Sequence, residues 1–125
     1  MLRILAALCL LLPVAAQTDG FAQWFGEFRI RVAHNDAFGV AKGAHFPMNW
    51  ENGPVREIKT QDDFVKNFAK YFTPDIRKAI ATQTPGPAAE GTRMITWKAR
   101  GNEYSVYFKA EGSTYVLNGL SEGPP

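Results

Sequence analysis

The chain has 125 residues, 46% hydrophobic and 13% aromatic, with 14 Lys and Arg against 12 Asp and Glu for a net charge of +2. Its charges are interspersed, so there is no positive stripe of the kind nucleic-acid binding needs. A single cysteine allows neither an internal disulfide nor a cysteine zinc cluster.

Met1-Leu2-Arg3 carries one positive charge, Ile4 to Leu12 is uncharged and apolar, and Val14-Ala15-Ala16 precedes Gln17. That order predicts a secretory signal cleaved after Ala16. The apolar run is about half of the roughly 20 residues a spanning helix needs. The expectation is export to a periplasmic or extracellular site, with a mature domain over 17–125 and no membrane span. Cys9 lies inside the apolar run and leaves with it.

Thr18-Asp19-Gly20 opens a helix with Asp19 as its cap. Phe21, Trp24, Phe25, Phe28 and Val32 then share one helical face. Phe28 to Val32 also alternates, but the longer stripe favours helix. Asn35-Asp36 interrupts, and a short helix from Ala37 to Lys42 ends at Gly43. Ala44 to Glu51 reads as a strand, Asn52-Gly53 as a hairpin turn, and Pro54 to Lys59 as the returning strand.

The next helix opens at Thr60, with Asp63 placed for a capping box. Phe64, Val65, Phe68 and Phe72 form its buried stripe, leaving Lys66 and Lys70 outside. Thr73-Pro74-Asp75 starts a further helix, threonine as cap and proline at the first helical position. Thr84 to Gly91 is a loop. Three alternating strands follow, Arg93 to Ala99, Glu103 to Glu111 and Thr114 to Leu120, joined by turns short enough to force antiparallel neighbours. The fold class is therefore α+β: a strongly curved antiparallel sheet, hairpin plus three-stranded meander, with the helices packed on its concave face.

This order resembles the nuclear-transport-factor-2-like superfamily of cone-shaped domains, in its small secreted bacterial branch. The matching pieces are Phe28 to Asp36 running into a short helix, Phe46-Pro47 opening the first strand, and Asp63-Phe64 in the third helix. Phe72-Thr73-Pro74-Asp75-Ile76-Arg77 and the closing Tyr115-Val116-Leu117-Asn118-Gly119-Leu120 complete them. The resemblance implies a pocket at the wide end of the cone. It does not choose among isomerases, dehydratases, small-ligand binders and noncatalytic interaction domains.

His34 and Asp36 are the candidate general base and its orienting carboxylate. Helix-end capping explains both residues without any substrate. His45 is expected on the outer face of its strand, and Glu51 and Glu57 in solvent. No cluster has the three or four close ligands of a zinc site, and no phosphate loop or cofactor motif is present. Trp24, Trp50, Trp97, Tyr104 and Tyr115 are the candidate ligand-binding residues, because Trp and Tyr in a pocket wall add a polar handle to an apolar surface. The favoured reading is an exported noncatalytic domain that binds a small apolar or amphipathic ligand, or a partner protein, including a second copy through the sheet face. The alternative is an isomerase- or dehydratase-like enzyme using His34 or Asp36 as base.

Overall fold

A computed structural model describes residues 20–125. The predicted signal segment, Cys9 and the Asp19 cap lie outside the described residues. Helix α1 (Phe21–Ala33) begins after Gly20, which has no side chain to cap it, and buries Phe21, Phe25, Phe28 and Val32. Four residues at helical spacing settle the ambiguity of Phe28 to Val32 in favour of helix. Asp36 then caps α2 (Ala37–Lys42), its carboxylate accepting the Gly39 N–H at 3.0 Å.

Strand β1 (Ala44–Asn52) and strand β2 (Val55–Ile58) form the expected hairpin around Gly53, which has a φ of 63°. Along β1, Met48 and Trp50 are buried while His45, Pro47 and Asn49 are exposed. Thr60 caps α3 (Gln61–Lys66) through its hydroxyl and the Asp63 N–H, at 3.1 Å.

The single helix expected here is divided. Asn67 ends α3, and α4 (Phe68–Tyr71) follows as a separate turn. The Asn67 amide donates to both the Asp63 carbonyl and the Asp63 carboxylate, at 3.1 and 2.8 Å. A side chain that bonds the preceding turn competes with the helical ladder, which is why asparagine favours helix ends. Asp63 therefore does not close a capping box. Its second carboxylate oxygen accepts from the Tyr71 hydroxyl at 2.6 Å.

Helix α5 (Pro74–Thr82) has Pro74 in its first turn and Thr73 at the cap position, but the Thr73 side chain makes no capping bond. Its hydroxyl oxygen is buried without a partner. The predicted boundary is right and the predicted cap is not. Within the expected loop, Gly86–Pro87 pairs with Met94 and Arg93 as a two-residue strand, β3. The meander is β4 (Thr92–Ala99), β5 (Asn102–Glu111) and β6 (Thr114–Gly123).

The six strands lie in the order β2-β1-β6-β5-β4-β3. The sheet is mostly antiparallel and curved rather than closed, with the helices packed against it. The exception is the junction of hairpin and meander, where β1 and β6 run parallel. Their register shifts between Ala44 and Asn49, a stretch that contains Pro47, which has no N–H to give the ladder. Gly119 allows the junction to close. A side-chain carbon there would come within 2.8 Å of the Asn49 carbonyl oxygen.

Two aromatic groups fill the space between helices and sheet. Phe64, Phe68 and Phe72 pack on one another, with Phe68 and Phe72 stacked at 4.7 Å, and Trp50 lies on Phe72 at 5.5 Å. Phe21, Phe25 and Phe28 each meet Phe108 in an edge-to-face arrangement at 5.3 to 5.9 Å. Two arginines join α1 to α5. Arg29 donates to the Ile80 and Gln83 carbonyls at the end of α5. Arg77 donates to the Val32 carbonyl and the Asn35 side chain at the end of α1. Each cation lies where the other helix exposes its last carbonyls, the favourable end of the helix dipole for positive charge. No helix among the described residues is long and apolar enough to cross a membrane.

Candidate functional site

The five aromatic candidates divide among three places. Trp50 is fully buried against Phe72. Trp97 stacks on Tyr104 at 5.7 Å, and Tyr104 is itself buried. Trp24 and Tyr115 come together at 6.3 Å, both half-buried, at the other end of the helical layer. The indole N–H groups of Trp50 and Trp97 are buried without an acceptor.

Trp24 and Tyr115 belong to a groove of about 430 Å³ between α1, α2 and the start of β6. One face of the Trp24 ring lies on Phe28 at 5.3 Å, which holds it in place from below. Phe38 projects from α2 and is 55% exposed, one of two large hydrophobic side chains left in solvent among the described residues. Two glycines one turn apart, Gly39 and Gly43, form the α2 side of the groove. A methyl group at Gly39 would collide with the Asp36 carboxylate, and one at Gly43 would touch the Trp24 ring. At these two positions the backbone approaches Asp36 and Trp24 closely, and the Phe38 and Lys42 side chains complete this side of the groove.

Its charges come from Arg31, Lys42 and Asp36. The Lys42 ammonium sits 5.1 Å from the centre of the Phe38 ring, a cation–π distance. Arg31 reaches Glu27 at 3.6 Å, with both side chains about half exposed. Such a surface pair is held weakly. The Asp36 carboxylate is engaged by the Gly39 N–H.

His34 is exposed at the end of α1, and no hydrogen bond joins it to Asp36. The structure does not bring these two together as base and orienting acid. His45 lies on the outer strand face as expected, 3.2 Å from Glu111. Glu51 departs from its expected place in solvent, since its carboxylate accepts the Glu122 N–H at 3.2 Å.

Glu122 is the polar residue that the sequence reading missed. Its carboxylate accepts from the Tyr104 hydroxyl and the Asn102 amide, each at 3.0 Å, and from the Gly53 N–H at 3.2 Å. The Tyr104 bond leads the effects that hold its pKa below the usual carboxylate range. A carboxylate bonded this fully is a poor proton acceptor and a good tie between β6, β5 and the hairpin. Phe38, Arg31 and Lys42 were missed as well. For Phe38 a signal was present: Val40 and Ala41 are the apolar pair that α2 buries, which leaves Phe38 without a place in the core.

The chain matches no protein-family model, and no significant match is found among curated proteins or solved structures.

Proposed function

We propose that this is an exported, noncatalytic binding domain of the nuclear-transport-factor-2-like type, and that it holds a small amphipathic ligand in the groove between α1, α2 and β6. The single observation that carries the reading is the convergence of Trp24, Tyr115 and the exposed Phe38 on one open groove of about 430 Å³. That volume lies within the roughly 300–1,000 Å³ common for small-molecule sites. The interior of the cone is a less suitable seat for a ligand. Trp50, Phe64, Phe72 and Phe108 occupy it and are each at most 1% exposed.

The outer sheet face favours the ligand reading over a pairing of two sheets. Thr96 and Ser105 pair their hydroxyls at 3.0 Å there, as do Tyr107 and Ser121 at 3.2 Å. Stable interfaces between identical chains are more apolar than that at their centre. The test is amide NMR on the protein without residues 1–16, screened against short-chain amphiphiles and aromatic acids. Shifts gathered on 36–43 and 114–116 support the proposal. Shifts confined to the Trp97 and Tyr104 region, or turnover of any compound in the screen, would defeat it.

A further inference from the structure

We propose, resting on that reading of the groove, that its ligand is an amphipathic monoanion: an acyl or aryl body ending in one carboxylate. Three observations point to this chemistry. The first is the charge of the lining, where Arg31 and Lys42 face a single carboxylate, that of Asp36. The second is what those groups are already doing. Asp36 is bonded to the Gly39 N–H, which fixes it as part of the α2 start. Among the described residues the Arg31 guanidinium has only the long contact to Glu27, and the Lys42 ammonium has the Phe38 ring beneath it. Both cations therefore keep donors for an incoming oxyanion, and hydrogen bonds with an ionised partner are the strong ones.

The third is the closeness of apolar and cationic surface in the groove. Trp24, Tyr115 and Phe38 line it together with Arg31 and Lys42, and the Lys42 ammonium lies 5.1 Å from the centre of the Phe38 ring. A chain or ring laid against Phe38 has a cation beside it. A neutral ligand of the same body would cover the rings and bring neither cation a charged acceptor. A cationic one would meet two like charges.

The experiment uses decanoate, 1-decanol and decyltrimethylammonium, each below its aggregation limit, with amide NMR titration of the protein lacking residues 1–16. Decanoate is expected to shift the amides of 36–43 and 114–116. It should bind about tenfold more tightly than 1-decanol, the factor given by one hydrogen bond to a charged group. Lys42→Gln and Arg31→Gln should each narrow the gap between those two affinities, and the double variant should close it. Equal affinities for decanoate and 1-decanol in the unaltered protein would overturn the anion assignment while leaving the groove as a binding site. Preference for decyltrimethylammonium would do the same. Failure of all three to shift the groove amides would defeat the groove reading itself, and the anion with it. Phe38→Ser is the accompanying variant. Its side chain is exposed, so the rest of the spectrum should persist while decanoate binding is lost.

Discussion

Two aromatic regions of this molecule have nearly the same composition and opposite accessibility. Around Phe72, the rings of Trp50, Phe64 and Phe68 close on each other until none is more than 4% exposed. Around Trp24, the rings of Phe38 and Tyr115 leave an open groove. The difference lies in what surrounds the rings. Phe72 is met by rings from two helices and a strand. Trp24 also meets rings, those of Phe21, Phe28, Phe108 and Tyr115, but its neighbour on the α2 side is Gly43, which has no side chain to cover it. A ring in a sequence is thus a weak guide to a site, and the residue opposite it is a better one.

The sharpest way to break this comparison is to remove one ring from each region. Phe68→Ala should cost about 3–5 kcal/mol, the usual loss on emptying a large aromatic core position. Urea unfolding measures it, and a midpoint near that of the unaltered protein would mean the first region is not a core. Alkali should also act on the closed region. Tyr71 has its pKa raised from 10.0 to about 12, by burial first and then by its bond to Asp63. The folded state thus holds this proton more tightly than the unfolded chain. Its contribution is complete below pH 10 and is lost as pH rises from 10 towards 12. Tyr71→Phe should flatten that part of the stability profile, and an unchanged slope would assign the alkaline loss to other groups.

At the groove, Asp36→Ala should cost about 1 kcal/mol through its cap on Gly39. The same urea titration reads it, with His34→Ala as the neighbour expected to change little. Phe38→Ala should alter stability by no more than about 0.5 kcal/mol, as for an exposed position. A loss as large as that of Phe68→Ala would erase the contrast between the two regions. Smallest is Thr73→Val, which removes a buried hydroxyl that has no partner. A thermal midpoint unchanged or slightly raised is expected, and a fall of the size typical for a lost cap would restore Thr73 to the role its sequence suggests.

Local chemistry was readable wherever a few neighbouring residues decide the outcome. The stripe of Phe21, Phe25, Phe28 and Val32 and the Asn52-Gly53 turn needed no distant partner to be recognised. The α+β class and the meander followed from alternation and turn lengths. The parallel pairing of β1 with β6 did not, because it joins segments about 70 residues apart and depends on the single close approach at Gly119. The break at Asn67 was hidden for a different reason. Phe64, Phe68 and Phe72 keep helical spacing across it, so the apolar pattern runs on while the Asn67 side chain cuts the ladder. At the candidate site, Trp24 and Tyr115 were picked as aromatics on predicted elements. Arg31 and Lys42 needed the placement of α2 against β6, and Glu122 needed three donors from β5 and the hairpin.

The exchange of arginines between α1 and α5 has a mechanical meaning. One fastening between two rods leaves them free to pivot about it. Arg29 and Arg77 supply two fastenings at different points along each rod, which removes the pivot and the slide together. Helix α1 carries Trp24 and Arg31, so one bank of the groove inherits that rigidity. The other bank is a six-residue helix held at its start by the Asp36 cap, along its length by the buried Val40 and Ala41, and at its end by the Leu117 N–H, which donates to the Gly43 carbonyl at 2.7 Å. Both jaws of the vice are thus fixed, and any widening of the groove to admit a guest is expected to come from the exposed side chains of Phe38, Arg31 and Lys42 turning aside while the two helices stay still.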